Sequence, residues 1–129
     1  MLERFTLWAR RRADVSALAL VGSWARGAAD GDSDVDLILL TDTPERFTAS
    51  DAWLPELGGA RLVLTVAWGA ILERRFELPS GLEIEFGVGT PGWAAVEPVE
   101  PGTKRVVSDG MRVLHDPEGL LSALSAACD

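Results

Sequence analysis

The chain has 129 residues, 47% of them hydrophobic and 25% charged, which is one domain's worth of sequence (residues 1–129) with enough apolar material for a core. Twenty Asp and Glu against twelve Lys and Arg give a net charge of −8, which argues against gripping a long nucleic acid backbone. A single cysteine, Cys128, excludes a disulfide framework. No apolar run reaches membrane-spanning length and no signal-peptide core opens the chain, so no membrane partner and a cytoplasmic location are expected.

In chain order, residues 2–13 (LERFTLWARRRA) read as a helix. Leu2, Phe5, Leu7, Trp8 and Ala9 form its apolar stripe, and Arg10-Arg11-Arg12 closes it as a solvated, dipole-complementing end. Ala17 to Val21 is an apolar strand. Gly22-Ser23 breaks it, a short helix follows over Ala25–Ala29, and Asp30-Gly31-Asp32-Ser33 is a polar turn into a second strand, Val35 to Leu40. Thr43 caps and Pro44 opens a helix running to Ala49; Ser50 to Gly59 is looser, with a turn of helix near Asp51–Leu54. Arg61–Trp68 is a strand, and Ile71–Leu78 with Leu82–Val88 makes a hairpin turning at Pro79-Ser80-Gly81. TPGWAAVEPVEPG, from Thr90, reads as an extended surface connection. A helical turn over Thr103–Ser108, a strand over Met111–His115 and a last helix starting at Asp116-Pro117 complete the chain, with Leu120, Leu121 and Leu124 facing inward.

The chemistry concentrates in residues 18–42. Asp34 and Asp36 sit two residues apart, so both carboxylates leave one face of the strand while Val35 points into a core. Five Asp lie between Asp30 and Asp42, and the nearest basic residue is Arg26. Two like charges about 4 Å apart repel by roughly 4 kcal/mol at an effective dielectric near 20, so such a pair needs a reason. A divalent cation supplies one: Mg²⁺ takes carboxylate oxygens and keeps positions open for water and phosphate, while backbone N–H groups at a Gly-Ser break suit phosphate. In the later hairpin, Glu83, Glu85 and Gly87 share one face and the apolar residues 82, 84, 86 and 88 the other. The acidic positions have no Lys or Arg nearby in sequence to offset them, so their repulsion is expected to raise at least one carboxyl pKa. Gly22 and Gly27 have P-loop spacing, but Ala28-Ala29 stand where Lys-Ser/Thr is required, and no G-x-G-x-x-G is present.

Gly22-Ser23-Trp24-Ala25-Arg26-Gly27 followed by Ser33-Asp34-Val35-Asp36-Leu37 resembles the signature of the DNA polymerase β-type nucleotidyltransferase superfamily. The likeness is greatest to minimal nucleotidyltransferases and the catalytic halves of aminoglycoside nucleotidyltransferases, and strong over residues 18–40. It implies an α/β (α+β) nucleotidyltransferase fold, a mixed twisted β-sheet with helices packed mainly on one face. It implies an activity as well: Mg²⁺-dependent transfer of a nucleoside monophosphate from an NTP, ATP first, to an acceptor with release of pyrophosphate. On that resemblance Asp34 and Asp36 bind two Mg²⁺ ions, and a third carboxylate comes from the hairpin. Gly-x-x-Ile-acid-hydrophobic selects Glu85, with Glu83 the alternative; Asp is commoner at that position.

Gly22 and Ser23 would bind phosphate. Arg26 would either neutralise the leaving pyrophosphate or pair with Asp30 or Asp32, and Trp24 would stack on the base or cover the pocket. Ser33 is a turn residue, and His115 is structural. The acceptor is a small molecule or protein rather than a long nucleic acid. Without the helical C-terminal domain of the antibiotic-modifying enzymes, its site falls to residues 90–115, a homodimer or a helical partner subunit. The alternative reading is an antitoxin-like protein that binds or adenylylates a partner.

Overall fold

The computed structural model describes residues 2–28, 34–50, 52–58, 60–68 and 71–128, with Trp68 described by its backbone alone. The expected turn Asp30–Ser33, with Ser33 as its last residue, lies outside the described residues, as do Asp51 and Gly59. Among the described residues six strands form one sheet: β1 (Ala17–Val21), β2 (Val35–Leu40), β3 (Arg61–Trp68), β4 (Ile71–Glu77), β5 (Glu83–Gly89) and β6 (Met111–His115). Their order is β3-β4-β5-β2-β1-β6. β2 and β5 run parallel and the other neighbours antiparallel, so the mixed sheet expected of the α/β class is present.

The helices are α1 (Leu2–Arg10), α2 (Gly22–Ala25), α3 (Glu45–Thr48), α4 (Pro101–Asp109) and α5 (Leu120–Ala127). They cover both faces of the sheet, α1, α2 and α3 on one and α4 and α5 on the other. Leu18, Leu20, Val35, Leu37, Leu39, Ile84, Phe86 and Val88 point to one face and pack with Phe5, Trp8 and Ala9 of α1 and Phe47 of α3. Ala17, Ala19, Val21, Ile38 and Leu40 point to the other and pack with Leu121 and Leu124 of α5, against which Val106 of α4 also lies. The cause is visible in β1, whose five residues are all buried: a strand apolar on both sides needs a cover on both sides.

The first core is aromatic. Trp53, in the segment expected to be loose, has its ring 5.2 Å from that of Phe76, 5.5 Å from Phe47 and 5.6 Å from Phe86, all edge-to-face. Arg74 of β4 is buried beside it. Its Nη1 donates to the carbonyl oxygens of Phe47, at 2.8 Å, and Ser50, at 3.3 Å, tying that segment to the sheet.

Local boundaries also shift. α1 stops at Arg10, not at residue 13, and Arg12 is no solvated end. It pairs with Asp14 and Glu56, each at 2.8 Å, and lies over the Trp8 and Phe47 rings. α2 starts at Gly22 itself instead of Ala25, because Gly22 adopts φ +72° and turns the chain directly out of β1. In α3, Pro44 is the N-cap residue and Thr43 gives no side-chain cap. α5 starts at Leu120, three residues later than Pro117, yet the Asp116 carboxylate still accepts from the Leu121 and Ser122 N–H groups. The Pro-rich stretch from Thr90 contains a 3₁₀ turn, Pro91–Ala94, and leads into α4.

Candidate active site

Strand register brings the acidic positions together. Asp36 of β2 lies directly opposite Glu85 on the parallel neighbour β5, and Val35 opposite Ile84, so Asp36 and Glu85 share one face while Val35 is fully buried on the other. On β5's other side, Arg75 of β4 is opposite Glu85, Glu77 opposite Glu83 and Glu73 opposite Gly87. Glu73, Arg75, Glu85 and Asp36 therefore line up across three strands on the face away from α1.

Above this row is a cavity of about 800 Å³, the scale of a small-molecule site. Asp36, Glu73, Glu85 and Gly87 form its floor, and Gly22 and Arg26 stand at its β1 end. The facing wall is Trp93 of the 3₁₀ turn and Glu100, Thr103, Val106 and Asp109 around α4. The segment read as a surface connection therefore closes the site. Asp34, half-buried just before β2, and Ser23, half-buried one residue into α2, are beside the cavity without lining it. Trp24 packs against the first core and not over the cavity. Arg26 reaches the cavity, whereas its alternative partners Asp30 and Asp32 lie outside the described residues.

Gly22 has a second reason to be glycine. A Cβ there would overlap the Asp36 carboxylate, so the β1–α2 turn is seated on that side chain.

The electrostatics follow from crowding. Burial pushes the Glu85 carboxyl up to about 9, helped by its hydrogen bonds to Asp36 and Glu73 and by their charges. Burial also raises Asp36, as do the charges of Asp34 and Glu73, against a hydrogen bond from Glu85 that lowers it. The expected carboxyl upshift is present, and the fold brings in a cation that the sequence neighbourhood of these carboxylates lacks. Arg75 donates to Glu85 through Nη2, and its Nη1 is 3.7 Å from Glu83. Burial would lower the Arg75 pKa; Glu85, Asp34, Glu83 and Glu73 raise it further than burial lowers it.

Sequence reasoning missed Glu73 and Arg75, although a signal existed. A hairpin turning at 79–81 pairs 77 with 83, and the same register carries 75 onto 85 and 73 onto 87.

The donor set is all carboxylate, the type a hard divalent cation takes. Asp36 and Glu85, adjacent and crowded, fit one Mg²⁺, which commonly uses one or two carboxylates with water and phosphate. Among the described residues no group of three or more Asp, Glu, His or Cys stands close enough to hold a metal, so a complete two-ion cage is not assembled in this arrangement. Also among them, no helix is long and apolar enough to cross a membrane.

No curated protein matches the chain. The family described as nucleotidyltransferase domain matches residues 4–83, more than half of the chain, from α1 through β4 to the first residue of β5. That segment holds Asp36, Glu73 and Arg75 on the mixed sheet just described, and Gly22, Ser23, Arg26 and Asp34 beside it. The chain accordingly belongs to the nucleotidyltransferase domain family, within the DNA polymerase β-type superfamily, whose general chemistry is nucleotidyl transfer from an NTP.

Proposed function

We propose that this chain is a Mg²⁺-dependent nucleotidyltransferase that moves a nucleoside monophosphate from ATP to a hydroxyl-bearing acceptor and releases pyrophosphate. The observation that carries the reading is the placement of Asp36 and Glu85 as registered neighbours on the floor of the cavity, with Gly22 seated against Asp36. Nucleotidyltransferase domains generally use divalent metals. Here Asp34, Asp36 and Glu85 would hold Mg²⁺, two ions being the full complement. When bound, the metal supplies charge neutralisation of the phosphates and activation of the attacking oxygen.

The chain's own residues do the rest. The Gly22-Ser23 turn offers the triphosphate a backbone N–H and the Ser23 hydroxyl, and Arg26 at the cavity's edge meets the charge that develops on pyrophosphate. The acceptor lies against the wall built by Trp93 and α4. That wall is acidic through Glu100 and Asp109 as well as apolar through Trp93 and Val106, so a small molecule or a protein segment suits it and a polyanionic nucleic acid does not.

The test is transfer of label from α-labelled ATP in Mg²⁺ to a small molecule, protein or RNA in a lysate. Asp34→Asn and Asp36→Asn should each abolish transfer with the fold intact. Glu85→Gln should lose at least about 10²-fold, the scale of one transition-state electrostatic partner, and Glu83→Gln little. Near-normal turnover in either Asp variant would overturn the reading.

A further inference from the structure

Arg75 is the residue of this site whose position the transfer reaction does not explain. It lies opposite Glu85 in the β4–β5 register and does not itself line the cavity. Its Nη2 donates to Glu85 Oε1, its Nη1 is 3.7 Å from Glu83 Oε2, and its buried Nε has no hydrogen-bond partner. A guanidinium placed to satisfy the fold would engage its planar donors more fully, as buried Arg74 does on the other face of the same strand. Arg75 instead leaves a buried donor unused and spends its contacts on two carboxylates of an acidic row.

We propose that Arg75 is a built-in counter-ion: in the resting protein its Nη2 occupies Glu85 Oε1, and a divalent cation must displace it to claim Glu85. This rests on the reading that Asp36 and Glu85 are metal ligands. The counter-ion explains how so acidic a row is tolerated before a cation arrives. Arg75 is thus a positioning residue, acting on the metal through Glu85. Its effect has a sign that an ordinary structural ion pair does not share. Removing a structural pair loosens the strand and leaves metal affinity unchanged or weaker. Removing a competitor that carries positive charge makes the site bind a cation more tightly.

The experiment titrates MgCl₂ alone, without nucleotide, into wild type, Arg75→Gln and Arg75→Lys by calorimetry at fixed ionic strength. Thermal melts of all three in EDTA and in saturating Mg²⁺ accompany it. Arg75→Gln should bind Mg²⁺ at least about tenfold more tightly, since one unit charge a few Å from a divalent ion outweighs that at an effective dielectric near 20. Arg75→Lys, which keeps the charge, should stay near wild type. In EDTA Arg75→Gln should melt below wild type, and saturating Mg²⁺ should close the gap by linkage. If Arg75→Gln is unfolded in EDTA, folding on addition of Mg²⁺ supports the proposal, and failure to fold in both overturns it. A folded Arg75→Gln that binds Mg²⁺ no better than a binding-competent wild type also overturns it. If no folded protein, wild type included, binds Mg²⁺, the metal reading itself is what has failed.

Discussion

Gly22→Ala tests the seat on which the candidate site is built. Gly22 has φ +72°, and an added Cβ would overlap the Asp36 Oδ2 position and come within 3.3 Å of its Cγ. Two costs then act together. A left-handed conformation costs a residue with a Cβ about 1–2 kcal/mol, and forcing an atom into an occupied site costs about 1–3 kcal/mol more. Gly119 supplies the control, because it has φ +73° with nothing within 4 Å of the place an added methyl would take, so Gly119→Ala carries the backbone cost alone. The excess for Gly22→Ala, about 1–3 kcal/mol, belongs to the clash with Asp36. Removing the carboxylate should remove that excess, so in a Gly22→Ala/Asp36→Ala cycle the glycine substitution should cost only what Gly119→Ala costs. Urea unfolding in EDTA reads all five proteins. With m of about 1–3 kcal/mol/M, an excess of about 2 kcal/mol moves the midpoint by roughly 1 M. Additivity within about 0.5 kcal/mol, or a Gly22→Ala penalty equal to that of Gly119→Ala, would refute the contact.

Two further predictions concern the supporting structure. Asp14 is held below the usual carboxylate range, first by its hydrogen bond from Arg12 and then by the charges of Arg12 and Arg46. A depressed folded-state pKa means stability present above the unfolded value, about 4, and lost as pH falls through the folded one. The stability advantage of wild type over Asp14→Asn should therefore be full above about pH 4 and shrink below it; a gap constant to strongly acid pH in urea melts contradicts this. Trp53→Ala should cost about 3–5 kcal/mol, because it empties the centre of a cluster that includes Phe47, Phe76 and Phe86. A loss under about 1 kcal/mol would show that the segment before β3 contributes little to the first core.

What the sequence made legible was local. The period-2 alternation that puts Glu83 and Glu85 to one side of Ile84 needs only a strand to be true, and β5 is present; β2 carries Asp36 but starts at Val35, one residue past Asp34. The parallel pairing that sets Asp36 against Glu85 was not local, since α3, β3 and β4 intervene. The resemblance supplied that adjacency where periodicity could not. Arg75 was hidden differently. It sits ten residues before Glu85, and only the hairpin register turns that separation into a contact. The cover on both faces was written in the unbroken apolar runs ALALV and LILL, which need one on each side.

The boundary of the family match at residue 83 has a consequence for function. Gly22, Ser23, Arg26, Asp34 and Asp36, which on the proposed reading handle the nucleotide and its metal, all fall inside it. Trp93, Glu100, Thr103, Val106 and Asp109, which wall the other side of the cavity, all fall outside. On the proposed reading the side of the cavity inside the family match is the donor side, and the acceptor side is built from residues past it. Glu85 stands between them, two residues past the matched segment, on the strand that forms the floor both sides share. Membership in the family therefore speaks to the bond that is made and not to the molecule that receives it. On the proposed reading that molecule meets a Trp-and-acid wall held in place by the second core, through Ala94 and Val106 packing near α5. Substitutions in that wall, such as Trp93→Ala, should change which acceptor is labelled or how well it binds, with ATP and Mg²⁺ affinity unchanged. A loss of ATP or Mg²⁺ binding in such a variant would place the donor, and not the acceptor, against α4.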